Sequence, residues 1–273
     1  MRSLSPVPLS PVPRDRTEKR QPRGAWGLSQ GFGIDIGGSG IKGAPVDLER
    51  GELAAERCRI PTPQPSTPGA VAGVVAEIVE NFGWQGPVGC AFPAVVKAGR
   101  TMSAANVDKD WIDCPASELL TSELETPVTL LNDADAAGLA EMRYGAGRGI
   151  DGLVMLLTLG TGIGSALFLD GRLVPNTELG HMEVRGKEAE HRASDRVRKD
   201  KELDYEAWAK RLQEVLRAME DLFWPDLIIL GGGVSKKHEK FLPHIETRTP
   251  VVPAELRNEA GIIGAALAAA NNV

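Results

Sequence analysis

Two glycine turns, each lying between apolar strand-like runs, constrain this chain more than any other feature. The first is "FGIDIGGSGIKG", Phe32 to Gly43, and the second lies in "LVMLLTLGTGIGSALFL", Leu153 to Leu169. Short apolar runs broken by glycine clusters read as buried strands joined by tight turns. A chain that runs this programme twice implies a duplicated α/β architecture, with the two turns at corresponding ends of two sheets and facing each other across a cleft. Gly38, Gly40 and Gly43 spell G-x-G-x-x-G after a strand, but the following "IKGAPVDLERGE" holds Pro45 and an Arg-Gly turn. It reads as a returning strand, whereas a dinucleotide fingerprint needs a helix there. Lys42 is not followed by Ser or Thr, so this is not a Walker loop either. What remains is a hairpin that is either a plain tight turn or a phosphate site, with the backbone N–H groups of Gly37, Gly38 and Gly40, the Ser39 hydroxyl, Lys42 and Asp35 available.

Between and beyond the turns the pattern predicts an antiparallel meander of three strands from Phe32, the third in "LAAERCRI". A helix at about Thr67 to Phe82 follows, then strand "PVGCAF", an extended piece up to Asn106, and a short helix near Pro115 to Glu123. Strand "PVTLL" and a helix over Ala134 to Tyr144 close the first half. In the second half come two strands around the turn, the hairpin "DGRL", a charged segment, an amphipathic helix over Tyr205 to Phe223, strand "DLIILGG" and a helix at about Asn258 to Ala270. Residues 1–30 carry six basic and two acidic side chains among Pro and Ser, too little apolar surface to offset ordering, and are expected to be a disordered tail. Residues 31–132 then form a first lobe, completed by a C-terminal helix within 257–273, and 133–256 form a second.

A net charge of -6 argues against a general nucleic-acid or membrane-surface role, both of which usually need a basic face. Cys58, Cys90 and Cys114 show no metal-binding spacing and cannot all pair. With no signal peptide legible at the start, a cytoplasmic location is expected.

"LLNDADAAGLAEM" sets Asn132 and Asp133 at a strand-to-helix junction, where Asp133 is either an N-terminal cap or the carboxylate that takes a proton from an attacking hydroxyl. "NTELGHM" places Glu178 and His181 in a polar stretch suited to hydrogen-bonding a polyol. His191 is ten residues further on, which argues against a metal there. In the second turn Gly160, Thr161 and Gly162 are phosphate-binding candidates, and Gly231, Gly232 and Gly233 end another buried strand, either as a strand-to-helix turn or where a phosphate chain approaches the backbone. Between Arg185 and Lys201 seven Lys or Arg face four acids. Such a run is a solvated helix face or, at a cleft mouth, a binding strip for an extended polyanion, with Arg192, Arg196, Arg198 and Lys199 as its candidates.

Together "DIGGSGIKG", "NDADAAGLAE", "LTLGTGIGSAL" and "ELGH" resemble the ROK (repressor, open reading frame, kinase) family of sugar kinases from about Phe32 to the C-terminus. The resemblance implies a two-lobed actin-like ATPase (ribonuclease H-like) fold with duplicated mixed β-sheets. It implies Asp133 as the base acting on the sugar O6 hydroxyl, with Asn106, Asn132, Glu178, His181 and Glu190 around the sugar. It also implies the glycine turns around the donor phosphates and Asp35 orienting hydrated Mg2+. The family's cysteine cluster is missing after His181, so zinc is not expected, and neither is DNA binding. A short chain, "FPAVV" in place of the usual Pro-Gly loop, and the basic segment are most similar to the polyphosphate-using glucokinase branch. That branch implies transfer from polyphosphate or ATP to glucose, some members also accepting mannose, by a homodimer. An ATP-only hexose kinase and a non-catalytic sugar sensor are the alternatives.

Overall fold

The computed structural model describes residues 29–104 and 107–271. Most of the expected tail and Asn106 therefore lie outside the described residues, and Gln30 already belongs to the first strand. The first half contains β1 (Gln30–Gly37), β2 (Gly40–Asp47), β3 (Glu52–Leu53), β4 (Cys58–Ile60), α1 (Pro68–Phe82), β5 (Val88–Phe92), β6 (Val96–Lys97), β7 (Arg100–Thr101), α2 (Ala116–Leu124) and β8 (Val128–Asn132). The second contains α3 (Asp133–Tyr144), β9 (Leu153–Leu159), β10 (Ile163–Leu169), β11 (Arg172–Val174), β12 (Glu183–Val184), β13 (Lys187–Glu188), α4 (Ala189–Ala193) and α5 (Asp195–Asp200). It ends with α6 (Tyr205–Phe223), β14 (Leu227–Gly231), β15 (Val251–Pro253) and α7 (Ala260–Asn271).

The two sheets repeat one plan. The first runs β3-β2-β1-β5-β8, with β4 also on β2, and the second runs β11-β10-β9-β14-β15. In each, an antiparallel hairpin leads, and two strands are then added in parallel beside its first strand. The third strand of the expected meander is two pieces: β3 and β4 both pair with β2, separated by residues 54–57. The alternation of apolar residues in "LAAERCRI" is too short and too charged to hold one continuous ladder.

Outer helices seal each sheet. Val71, Val75 and Ile78 of α1 are fully buried or nearly so, against Phe32, Ile34 and Ile41; each such side chain contributes about 1.5–3 kcal/mol of burial. Helix α6 begins at Asp204, whose carboxylate accepts from Ala207 N–H at 2.7 Å, and buries Trp208, Leu212, Val215 and Met219 against the second sheet.

The seam between the lobes is made by α3 and α7 and depends on small residues. A Cβ at Gly33 would lie 1.8 Å from the Ile262 carbonyl oxygen, and one at Gly264 only 1.7 Å from that of Ala136. Without side chains there, α7 lies directly on β1 and β5 while α3 lies directly on α7. Helix α3, which starts where β8 of the first sheet ends, also packs on β10 of the second. Its N-terminus is thus held at the junction of the two lobes. No helix among the described residues is long and apolar enough to cross a membrane.

Candidate active site

The first turn closes a tight hairpin: Gly37 pairs with Gly40, leaving Gly38 and Ser39 at the exposed tip. Two rungs below, Asp35 faces Lys42, and Lys42 Nζ donates to Asp35 Oδ2 at 3.1 Å. Both side chains are about a quarter exposed, 26% for Lys42 and 22% for Asp35, so the pair can open toward a ligand. Asp35 Oδ1 has no protein partner among the described residues. A hard oxygen donor beside a glycine turn is of the kind that fits magnesium, which keeps most of its waters and takes one or two carboxylates.

The second turn, Gly160 to Gly162, joins β9 to β10, and Gly160 N–H donates to Gly162 O at 3.0 Å. The glycine cluster after β14 sits at its root. Gly231 pairs with Thr158, and a Cβ on Gly232, which has φ of 82°, would fall 2.4 Å from the Leu159 carbonyl oxygen. Gly233 then opens a 3-10 helix over Gly233–Lys240.

Asn132, rather than Asp133, is the principal cap of α3. Its Oδ1 accepts from Ala134 N–H at 2.8 Å and Asp135 N–H at 3.2 Å, while its Nδ2 donates to Ala94 O. With the amide so engaged and the residue buried, Asn132 orients the helix entry. Asp133 Oδ1 accepts only from Ala134 N–H, at 2.8 Å, and Oδ2 is unpartnered among the described residues. Burial pushes the Asp133 carboxyl up to about 7, helped by the charges of Asp35, Glu178 and Asp135 and opposed by the Ala134 N–H. Desolvation and nearby negative charge both disfavour the ionised form. The result is a carboxyl poised near neutrality, as a general base requires.

Two further residues, absent from the sequence reading, hold the neighbourhood together. Asp135 is fully buried, and its Oδ2 accepts from Asn176 N–H at 2.8 Å; its other oxygen is unpartnered. Burial raises its carboxyl to about 6. Asn176, at φ 60°, also accepts from Val96 N–H and donates to Val96 O, both at 2.8 Å. One side chain thereby joins the loop that carries Glu178 to a strand of the first lobe. "PNTELGH" shows Asn176 as a turn former, but its long-range partner is not legible there.

Glu178 precedes a 3-10 turn on that loop and His181 ends it, with Glu178 Oε2 3.9 Å from His181 Nε2. Burial first, then Glu190, raises the Glu178 carboxyl, opposed by His181. Glu190 abuts the second turn: its Oε2 accepts from Ile163 N–H at 3.3 Å. The fold also overrides the separation of His191 in sequence. The Nδ1 atoms of His181 and His191 both lie 3.3 Å from Glu188 Oε2. His181, Glu188 and Glu190 present ligand atoms within 4.8 Å of one another, so they could hold a metal ion.

The charged segment folds into β12, β13, α4 and α5, with much of its charge engaged internally. Arg192 forks onto Glu214 of α6. Arg198 and Lys199 bond the two oxygens of buried Asp195 at 2.8 and 2.7 Å, and Arg196 lies 3.4 Å from Asp200. The basic residues and the segment's own acids, Asp195 and Asp200, were legible at helical spacing; Glu214, which meets Arg192 from another helix, was not. Arg196 nonetheless touches the second turn, its N–H donating to Gly160 O at 3.1 Å.

The ROK family model matches residues 31–199. A polyphosphate glucokinase of Mycobacterium tuberculosis is 56% identical over 252 residues, covering 92% of this chain and 95% of that protein. Among solved structures, the inorganic polyphosphate/ATP-glucomannokinase of Arthrobacter sp. strain KM superposes with a TM-score of 0.86 at 50% identity, over 90% of this chain and 100% of the other. A Streptomyces griseus ROK family glucokinase, solved with glucose and AMPPNP, superposes with a TM-score of 0.76 at 25% identity, over 89% and 99%. The expected two-lobed actin-like fold with duplicated mixed sheets is therefore the observed one.

Proposed function

The chain belongs to the ROK family, and from that premise we propose that it is a polyphosphate- and ATP-using glucokinase forming glucose 6-phosphate, with mannose as a second acceptor. The observation that carries this reading is the position of Asp133: the N-terminus of α3, at the junction of two lobes with a glycine turn in each. The printed activities of the Mycobacterium and Arthrobacter relatives support the donor and acceptor classes.

In this mechanism the sugar lies between Asp133 and the loop bearing Glu178 and His181, with Glu190 and Asn106 completing the hydroxyl contacts. Asp133 Oδ2 takes the proton of the attacking 6-hydroxyl as the oxygen displaces the terminal phosphoryl in line. The hydroxyl is a weak nucleophile, so the base is needed when the oxygen bonds to phosphorus and its acidity rises. Backbone N–H groups of the two turns, Ser39, Thr161 and Lys42 hold the donor oxygens; Asp35 would hold magnesium, which when bound would neutralise charge on the donor phosphates. Closure of the lobes excludes water that would otherwise hydrolyse the donor. The protein acts on small molecules as a homodimer in the cytoplasm, with neither nucleic acid nor membrane as a partner.

The deciding experiment measures glucose 6-phosphate formation with magnesium and either nucleotide-free polyphosphate or ATP. Turnover with polyphosphate is expected. Turnover with ATP alone would favour a compact-donor hexose kinase, which the engaged charges of Arg192, Arg198 and Lys199 also fit. Inactivity with both, alongside glucose binding, would leave a sugar sensor.

A further inference from the structure

The first hairpin carries a third charged residue in line with Asp35 and Lys42. Asp35 on β1 pairs with Lys42 on β2, and Lys42 in turn pairs with Arg59 on β4. Directly opposed residues of antiparallel strands project from the same face, so carboxylate, ammonium and guanidinium form one row across three adjacent strands. That face is the one α7 covers: a Cβ at Gly33, two residues before Asp35, would strike Ile262 of α7. Asp35 lies beside the first turn of the helix, where a Cβ at Gly261 would meet Asp35 Cγ at 3.4 Å. Its charge is among those that raise the Asp133 carboxyl.

Arg59 differs from its neighbours in two ways. It is exposed and has no ion-pair partner among the described residues, whereas Lys42 is bonded to Asp35. Its guanidinium reaches up to the turn: Nη2 donates to Ser39 O at 3.1 Å, and the group lies where a Cβ on Gly40 would come within 2.8 Å of it. One N–H fixes the fork against the hairpin, and no other hydrogen bond engages the guanidinium among the described residues. A planar guanidinium held in this way suits bidentate contact with phosphate oxygens.

We infer that Arg59 is a donor-binding residue that contacts phosphate units beyond the one transferred, and that it favours a long inorganic chain over a nucleotide. The inference rests on the kinase reading above. A nucleotide offers few phosphates before its sugar and base begin, while a polyphosphate chain continues to present one negative charge, shared by two non-bridging oxygens, per unit. A cation at the edge strand of the first sheet meets that continuation, on the opposite lobe from the largely neutralised segment at 192–199.

The test compares the wild-type protein with Arg59→Gln and Arg59→Lys, measuring KM for polyphosphate, ATP and glucose at several ionic strengths. The hairpin is held by its own β1–β2 backbone ladder, so it is retained while the charge is lost. Arg59→Gln is expected to raise the polyphosphate KM roughly tenfold and the ATP KM no more than about threefold. It should leave the glucose KM unchanged and flatten the salt dependence of the polyphosphate KM, because an electrostatic contact is screened by salt. Arg59→Lys should recover part of the affinity and the full salt dependence. An active Arg59→Gln enzyme with unchanged polyphosphate KM would overturn the assignment, as would a raised KM with unaltered salt dependence, the signature of a loosened hairpin. Wild-type protein that used neither donor would overturn the kinase reading itself, and the assignment of Arg59 with it.

Discussion

The two lobes share a strand plan but not a charge plan. Two rungs below the first turn stand Asp35 and Lys42; at the corresponding place below the second stand Thr158 and Gly164. The flanking rungs match in kind, Ile36 with Ile41 in one and Leu159 with Ile163 in the other. Backbone geometry was therefore kept while the ionic pair belongs to one side only. The reason lies in what each rung faces. Asp35 and Lys42 open toward the cleft, whereas a Cβ at Gly164 would come within 3.2 Å of Ala134, the residue after Asp133. The second lobe gives up a side chain so that α3 can approach; the first has room for one and uses it for charge.

The comparison breaks most severely at the residue both lobes converge on. Asp133→Asn should lower kcat by about a thousandfold with glucose KM changed less than threefold, since the amide still hydrogen-bonds but cannot accept the proton. In the wild type, kcat/KM should fall about tenfold per pH unit below about 7, where the Asp133 carboxyl becomes protonated; the variant should lose that limb. Stability carries the opposite sign. The folded carboxyl, at about 7 against an ordinary 3.8, holds its proton more tightly than the unfolded one. Its contribution is full below about pH 4 and is lost as the pH rises through 7. Denaturant titrations should therefore find Asp133→Asn more stable than wild type by ~4 kcal/mol at pH 8, with no difference at pH 4. Equal stability at pH 8 would mean that Asp133 is not desolvated.

Next comes the rung that the second lobe leaves empty. Gly164→Ala places a methyl group 2.5 Å from Thr158 Oγ1 and 3.2 Å from Ala134 Cβ. The start of α3 must give way, so kcat is expected to drop roughly ten- to a hundredfold, in proportion to how far the base is displaced. Full activity in this variant would show that the asymmetry between the lobes is tolerance and not need. At the equivalent rung of the first lobe, Lys42→Met removes charge without adding bulk. There the donor KM should rise about tenfold while glucose KM stays constant.

This asymmetry also marks where reading the sequence succeeds and where it stops. The turns, the strands around them and α6 follow from patterns repeated within ten to twenty residues, and α6 spans Tyr205–Phe223 as its amphipathic period predicts. The position of Asp133 at the start of α3 was legible because a carboxylate between a buried strand and a helix N-terminus is a local signal. Three things were not local. The capping role of Asn132 depends on which of two adjacent polar residues turns back toward the N–H groups. The neutralisation of Arg192 by Glu214 spans 22 positions, and sequence spacing says nothing of a neighbour on another helix. His191 seemed too distant from His181 to share a partner, yet the short β12–β13 hairpin folds Glu188 between them.

Asn176 tests the last part of the comparison, the physical connection between the lobes. Its backbone is tied to α3 through Asp135, and its side chain is tied to Val96 of the first lobe by a donor and an acceptor bond. Asn176→Gly tolerates the positive φ and keeps the N–H for Asp135, so it removes only the link across the lobes. Each lost hydrogen bond is worth about 0.5–1.5 kcal/mol, and the Val96 backbone groups regain water when the lobes part. Hence the effect should be the smallest of the series: glucose KM raised about three- to tenfold, kcat reduced less than threefold, and the acid limb near pH 7 unmoved. A shift of that limb would show that the link also sets the surroundings of Asp133. Unchanged KM and kcat would show that α3 and α7 alone register the two lobes, and that duplicated sheets need no side-chain bridge to present one cleft.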